Sequence, residues 1–376
     1  MAFTGKTMHP NKNLFSQKGT LTNDEVRNLL GRKVAIEIFS SIDDATVVEI
    51  GSLSTNYFSF TFIVKVRTSK GSRDVFVKIP KADMRGRERS ILPITSMDRR
   101  MAKEEESSLR LLGQKWDGDD LDVRWVNLRG TIPEYNAIVT DRVFADEALP
   151  VLRRLDLRRR LGYRNDAQRM QHSMARIGSA LGRFHQTNSQ ISVFQLSSEL
   201  TKFEFYCREL SLSTKSACIE SILRKLRTMG NTELAGIKVP TLKGIDIRNI
   251  IIDAQDKIYL MDPGRIKFTY READLARFLM TYRILYWGSK LFLLFREPDS
   301  KPEASFLKAY YSYDQPPCPQ LLNLFFLKEQ LKHWHTALDS LQRGNWPPVL
   351  KRLVAWIYVN RFYTRQVRAQ LQLIGK

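Results

Sequence analysis

The sequence predicts an α+β protein of two lobes, a β-rich first third followed by a helical remainder. Residues 47–50, 58–66 and 75–79 are dense in β-branched and aromatic side chains and read as strands. Beyond Phe144 the apolar residues recur at helical spacing, as in Met174, Ile177, Leu181 and Phe184. With 376 residues, 43% of them hydrophobic, the chain is long enough for one large two-lobed domain.

Residues 1–20 are polar, lack the apolar run of a signal peptide and read as a loose tail. Thr22 or Asn23 caps a short helix ending near Gly31. Ser69-Lys70-Gly71-Ser72 supplies a hairpin turn between the second and third strands. A helix follows over residues 96–112, then a strand at Ile138-Val139-Thr140, which gives an N-lobe over 21–143 with a hinge near 140–144. The C-lobe, 144–376, holds a helix over 170–186, a short β insertion at 249–253 and 257–261, and helices to the end. The most apolar stretch, 278–295, contains Arg283 and Lys290, which points to a buried or interfacial helix and not a membrane span.

The net charge of +20 calls for an anionic partner: a nucleotide, a nucleic acid, a phosphorylated glycan or an acidic membrane face. Nucleic acid is disfavoured, because no helix-turn-helix, zinc-finger or RNA-binding aromatic motif is present. Cys207, Cys218 and Cys318 show no metal-ligand spacing and read as reduced thiols of a cytoplasmic protein.

The chemistry concentrates in residues 243–264. Asn249 and Asp262 stand 13 residues apart, joined by two apolar runs and a turn at Ala254-Gln255-Asp256, so a tight hairpin nearly fixes their separation. Upstream, Lys78 shares one face of an alternating strand with Phe76, and Glu104, Glu105 and Glu106 fall together on the following helix. Downstream lie Asp274-Leu275-Ala276 and, at a helix end, Phe184-His185-Gln186.

Taken in order over residues 45–312, these segments resemble the aminoglycoside-phosphotransferase branch of the protein-kinase-like superfamily. The resemblance implies a bilobal kinase-like fold that binds ATP and Mg²⁺. It implies that Asn249 and Asp262 hold the metal, that Lys78 neutralises the nucleotide phosphates and that Glu105 holds Lys78. The phosphate-covering loop, residues 51–56, has one glycine, and Ser54 and Thr55 are its candidate hydroxyl donors. Asp274 would brace the catalytic loop, and His185 would serve the core.

The chain departs from the family's pattern in the catalytic loop. The catalytic base is an Asp five residues before the metal-ligating Asn, and that position is Gly244 here. Asp246 is the nearby carboxylate and the candidate base. Two functions therefore fit. One is a phosphotransferase acting on a small-molecule hydroxyl, of a sugar, glycan or lipopolysaccharide-type glycolipid; the other is a nucleotide-binding regulatory module with little transfer activity. Only 11 residues separate Asp262 from Asp274, which leaves no room for a peptide-docking activation segment. Arginines at 153, 154, 158, 159, 160, 164 and 169 favour an anionic acceptor. Lys351, Arg352, Arg361, Arg365 and Arg368, beside Trp356, Tyr358 and Tyr363, favour peripheral contact with an acidic membrane surface, the inner face for a cytoplasmic protein.

Overall fold

The computed structural model describes residues 21–39, 45–56, 58–82, 90–116, 123–214, 216–287, 299–313 and 318–374. The polar tail lies outside these residues, as does the end of the apolar stretch beyond Trp287. The chain forms two compact units, residues 1–102 with 129–140, and residues 103–128 with 141–376.

The first unit is built on a six-stranded sheet. Helix α1 (Asn23–Lys33) begins with a capping box, Thr22 accepting from the Glu25 amide while the Glu25 carboxylate accepts from the Thr22 amide at 2.7 Å. The helix does not stop near Gly31, and it continues as a π-helical turn over Val34–Phe39. Val34, Ala35 and Phe39 are buried there, so these β-branched and aromatic residues serve a helix face packed on the sheet. Strands β1 (Thr46–Ile50), β2 (Ser54–Thr55), β3 (Ser59–Thr68) and β4 (Gly71–Pro80) follow. The β3–β4 hairpin turns at Gly71, whose φ of 111° suits a residue without Cβ. Strands β6 (Leu128–Ile132) and β7 (Ala137–Asp141) complete the order β1-β3-β4-β7-β6, with β2 paired to β3. Phe60, Phe62, Val64 and Val66 of β3 and Val75, Val77 and Ile79 of β4 alternate onto one face and form the core with α1.

Helix α2 (Ser96–Lys115) starts in the first unit and ends in the second. Strand β5 (Val123–Trp125) pairs in parallel with β12 (Ile258–Leu260), which is why residues 103–128 group with the second unit. That small sheet is completed by β8 (Asp146–Glu147) and β11 (Ile250–Ile252). Around it lie α3 (Ala148–Arg160), α4 (Arg164–Gln186), α5 (Ser197–Ser213), α6 (Ala217–Thr228), α7 (Arg271–Trp287), α8 (Ser300–Tyr311) and α9 (Pro319–Arg343). The chain ends in α10 (Pro348–Val354), a π-helical turn and α11 (Arg361–Leu373).

A three-stranded sheet, β9 (Gln190–Gln195), β10 (Glu233–Leu242) and β13 (Ile266–Tyr270), was not expected. Its sequence is poor in strand signals: β9 is mostly exposed, and β10 carries Gly236 and Pro240. Gly236 is needed because a Cβ there would lie 2.7 Å from the Tyr270 ring. This sheet holds the site, since β10 leads into residues 243–249 and β13 leads out of 261–265.

Candidate functional site

Residues 243–265 form a closed double loop between β10 and β13. The Lys243 amide donates to the Arg265 carbonyl at 3.3 Å and the Gly244 amide to the Pro263 carbonyl at 2.9 Å, extending the β10–β13 pairing. Residues Ile247–Asn249 make a 3₁₀ turn capped by Asp246. The Met261 amide donates to the Asn249 carbonyl at 2.9 Å, so the two ends of the β11–β12 hairpin meet.

Gly244 is the centre of this arrangement. Its carbonyl accepts from Asn249 Nδ2 at 3.0 Å, and its Cα packs on the backbone of Asp262 and Pro263. A Cβ at 244 would lie 1.8 Å from the Asp262 carbonyl oxygen. The backbone there leaves no room for a side chain at 244. Asp262 itself is exposed and takes a φ of 54°, and Gly264 follows at 61°. The left-handed pair reverses the chain sharply and brings Asp262 beside the Gly244–Asn249 contact. No cluster of three or more His, Cys, Asp or Glu residues suited to a metal occurs among the described residues. Asn249 and Asp262 offer a two-residue set of hard oxygen donors, the kind that completes its shell with phosphate oxygens and water.

Asp246 is not an open carboxylate. It accepts from the Arg248 amide at 2.9 Å and from Arg248 Nε at 2.9 Å, and Arg248 Nη2 contacts the other oxygen. Asp246 raises the proton affinity of the Arg248 guanidinium, against a smaller opposing effect of burial. Across from this pair stands α9. His333 is buried, with Nε2 lacking a hydrogen-bond partner and 3.7 Å from Glu329 Oε2. Burial pushes its pKa down to about 4, opposed by Glu329 and assisted by Lys332 and Arg248. Burial alone would raise the Glu329 pKa, but Lys332 at 2.7 Å and Arg277 at 3.8 Å hold it below the usual carboxylate range.

The loop rests on buried polar groups from α7. The Asp274 carboxylate accepts from the Leu242 amide at 2.7 Å, and Arg277 donates to the Leu242 carbonyl at 3.0 Å. His185 lies 3.3 Å from Asp274 through Nε2 and 2.8 Å from the Tyr310 hydroxyl through Nδ1, fully within the core. Thr281 accepts from the Ile247 amide at 3.1 Å.

In the first unit, Lys78 and Phe76 share the β4 face opposite the core, and both are half-buried. Ser54 and Thr55 form β2, exposed and paired with Thr61 and Phe60. A buried pair that sequence reading missed lies close by. Lys81 Nζ is 2.8 Å from Asp98, both nearly inaccessible, and donates to the carbonyls of Ile91 and Pro93. Burial would raise the Asp98 pKa, but Lys81 and the amides of Ala82 and Thr95 hold it below its ordinary value. The signal available was Thr95-x-x-Asp98 at the start of an amphipathic helix, a capping box that the structure forms.

Glu105 is the buried member of its acidic run. Glu104 lies 3.5 Å from Arg265, and Glu106 pairs with Arg110 at 2.9 Å. The arginine stretch is largely neutralised. Arg154, Arg158, Arg159, Arg160 and Arg169 each lie within 4.0 Å of an aspartate, so most of that charge serves the fold of α3 and α4. The exposed cations within residues 243–265 are Lys243, Arg248, Lys257 and Arg265.

No protein-family model and no curated protein matches the chain. Solved structures do. A choline/ethanolamine kinase family protein from Mesorhizobium loti matches with a TM-score of 0.52 at 13% identity, over 92% of this chain and 95% of that one. A choline kinase from Streptococcus pneumoniae matches with a TM-score of 0.47 at 15% identity, over 92% and 99%. An aminoglycoside phosphotransferase from Alicyclobacillus acidocaldarius matches with a TM-score of 0.47 at 11% identity, over 87% and 93%. Together with the order of the elements, the first of these identifies the architecture: the chain has the α+β, protein-kinase-like fold seen in that choline/ethanolamine kinase family protein.

Proposed function

We propose that this chain is a Mg·ATP-dependent phosphotransferase acting on the hydroxyl of a small molecule. The observation that carries the reading is the double loop, in which Gly244 ties Asn249 to the backbone of Asp262. With Nδ2 committed to the Gly244 carbonyl, Asn249 offers Oδ1 to a cation, and Asp262 offers its carboxylate. Bound Mg²⁺ would neutralise charge on the transferred phosphoryl group. In the first unit Lys78 is the proposed phosphate cation, with Ser54 and Thr55 as hydroxyl donors. Glu105 is the proposed carboxylate that orders Lys78.

Transfer requires the acceptor oxygen to bond to the γ-phosphorus as the bond to the leaving phosphate oxygen breaks. The hydroxyl proton goes to Asp246 in this reading, after Arg248 gives up the carboxylate. Lys243 stands exposed beside Gly264 at the loop, which supports an acceptor bearing its own anionic group, such as a phosphorylated sugar or glycan.

A second reading keeps the nucleotide site and drops the chemistry. It is favoured by the Asp246–Arg248 pair and by a base position closed to any side chain. Incubating the protein with radiolabelled ATP, Mg²⁺ and a panel of neutral, cationic and phosphorylated sugars and glycolipids separates the two. Label transfer to a phosphorylated hydroxy compound is the expected result. Nucleotide binding with no transfer to any acceptor would establish the second reading.

A further inference from the structure

The helical run 348–373 is docked at one end and bare at the other. In its C-terminal half Phe362, Tyr363 and Val367 are buried, Tyr363 stacks on Trp334, and Trp334 Nε1 donates to Asn360 at 2.9 Å. Tyr363, expected from the sequence on the basic surface, thus belongs to the core. The N-terminal half has the opposite character: α10 buries none of its residues. Val349, Leu353 and Trp356 are spaced four and three residues apart along the helical run and are exposed, with Leu350 beside them and the exposed Trp346 just before the helix. Val349 and Trp356 are 77% and 73% exposed, and the exposed apolar residues here are contiguous along the chain and not single.

The charge of the same segment says what covers these residues. Residues 340–376 contain seven Lys or Arg and no Asp or Glu. A second copy packed on this face would bring two such segments together and set like charges against each other. An anionic bilayer complements both features, since it takes up the exposed apolar residues, seats tryptophans at its interface and attracts the flanking cations. We infer that Trp346–Trp356 is a membrane-surface anchor, laid in the plane of an anionic phospholipid bilayer by a rigidly docked helix. Among the described residues no helix is long and apolar enough to cross a membrane, so the contact is peripheral.

The inference does not depend on phosphotransfer, and its test uses no nucleotide. The full chain is co-sedimented with vesicles of equal parts phosphatidylcholine and phosphatidylglycerol, and with phosphatidylcholine alone. The parent is expected to pellet with the anionic vesicles and to be released by high salt. Trp346→Ala with Trp356→Ala should lower partitioning by roughly tenfold per indole. Lys351→Glu with Arg352→Glu should lower it by at least about tenfold, on anionic vesicles only. All four side chains lie outside the buried core, so thermal unfolding should be unchanged. A parent that stays in the supernatant with anionic vesicles overturns the inference, as does a double tryptophan variant that binds like the parent. Sedimentation velocity supplies a further refutation: a parent dimer that the tryptophan variant dissolves would make the segment a self-association surface.

Discussion

Adding one methyl group at position 244 should disable the site more than removing most side chains around it. Three backbone atoms of Asp262 and Pro263 lie within 2.9 Å of where the Gly244→Ala Cβ would stand, the nearest at 1.8 Å. Real Cβ atoms keep about 3 Å from such neighbours, so the two backbones must part by about 1 Å. Both are pinned, Gly244 by the Pro263 carbonyl and by Asn249, and Asp262 by its left-handed turn. Overpacking of this kind costs roughly 1–3 kcal/mol of stability. A displacement of about 1 Å at Asp262, the proposed metal ligand, would cost on the order of 100-fold in turnover. Thermal unfolding and Mg²⁺-dependent nucleotide titration of the variant measure the two effects separately. A Gly244→Ala protein with the parent's melting temperature and nucleotide affinity would show that the Gly244–Asp262 packing is not what orders the site. The same contact predicts that Gly244→Asp, which puts a carboxylate five residues before Asn249, lowers activity at least as far as Gly244→Ala does.

Other substitutions probe the surrounding groups. Asp98→Ala leaves the Lys81 ammonium buried without its partner and should cost roughly 3–5 kcal/mol, read by urea unfolding; a cost under about 1 kcal/mol would mean that water reaches Lys81. Arg248→Ala frees Asp246, so the proposed base should act without displacing a guanidinium and turnover should not fall; a loss of 100-fold or more would instead make Arg248 part of the acceptor site. His333 titrates at 6.5 when unfolded and about 4 when folded, so below 6.5 the unfolded chain takes up a proton that the folded chain refuses. Stability should therefore fall by about 3 kcal/mol in total as the pH drops from 6.5 to about 4, and His333→Gln should remove that part of the loss. Equal pH dependence in parent and variant, by urea unfolding at several pH values, would show that His333 is solvated.

Much of the fold was legible because its signals are local. The cap at Thr22, the turn at Gly71 and the alternation of β3 and β4 each follow from neighbouring residues, and each appears in the structure. The sheet of β9, β10 and β13 was not legible, because its strands are far apart in sequence, one is largely exposed and one contains a proline. What makes β10 a strand is the pairing on both sides, which no local pattern records.

At the site, the spacing of Asn249 and Asp262 pointed to a hairpin whose ends meet, and they do. The role of Gly244 was hidden, since a glycine at a family aspartate position reads as a loss and not as a close backbone contact. Asp246 was found by its type and place, but its partner Arg248, two residues on, was overlooked. The pairing of the arginines at 153–169 was hidden for a related reason: the carboxylates beside them include Asp146, Asp256 and Asp299, which meet them only in the folded chain.

The central claim is tested most directly by titrating the protein with a non-hydrolysable ATP analogue, with and without Mg²⁺, in the parent and in Asp262→Asn. Asp262 is exposed, so the substitution should leave the melting temperature nearly unchanged. The account predicts that the parent binds the analogue more tightly when Mg²⁺ is present and that Asp262→Asn loses this gain while remaining folded. Binding that is indifferent to Mg²⁺ in the parent, or a gain that survives in Asp262→Asn, would contradict it.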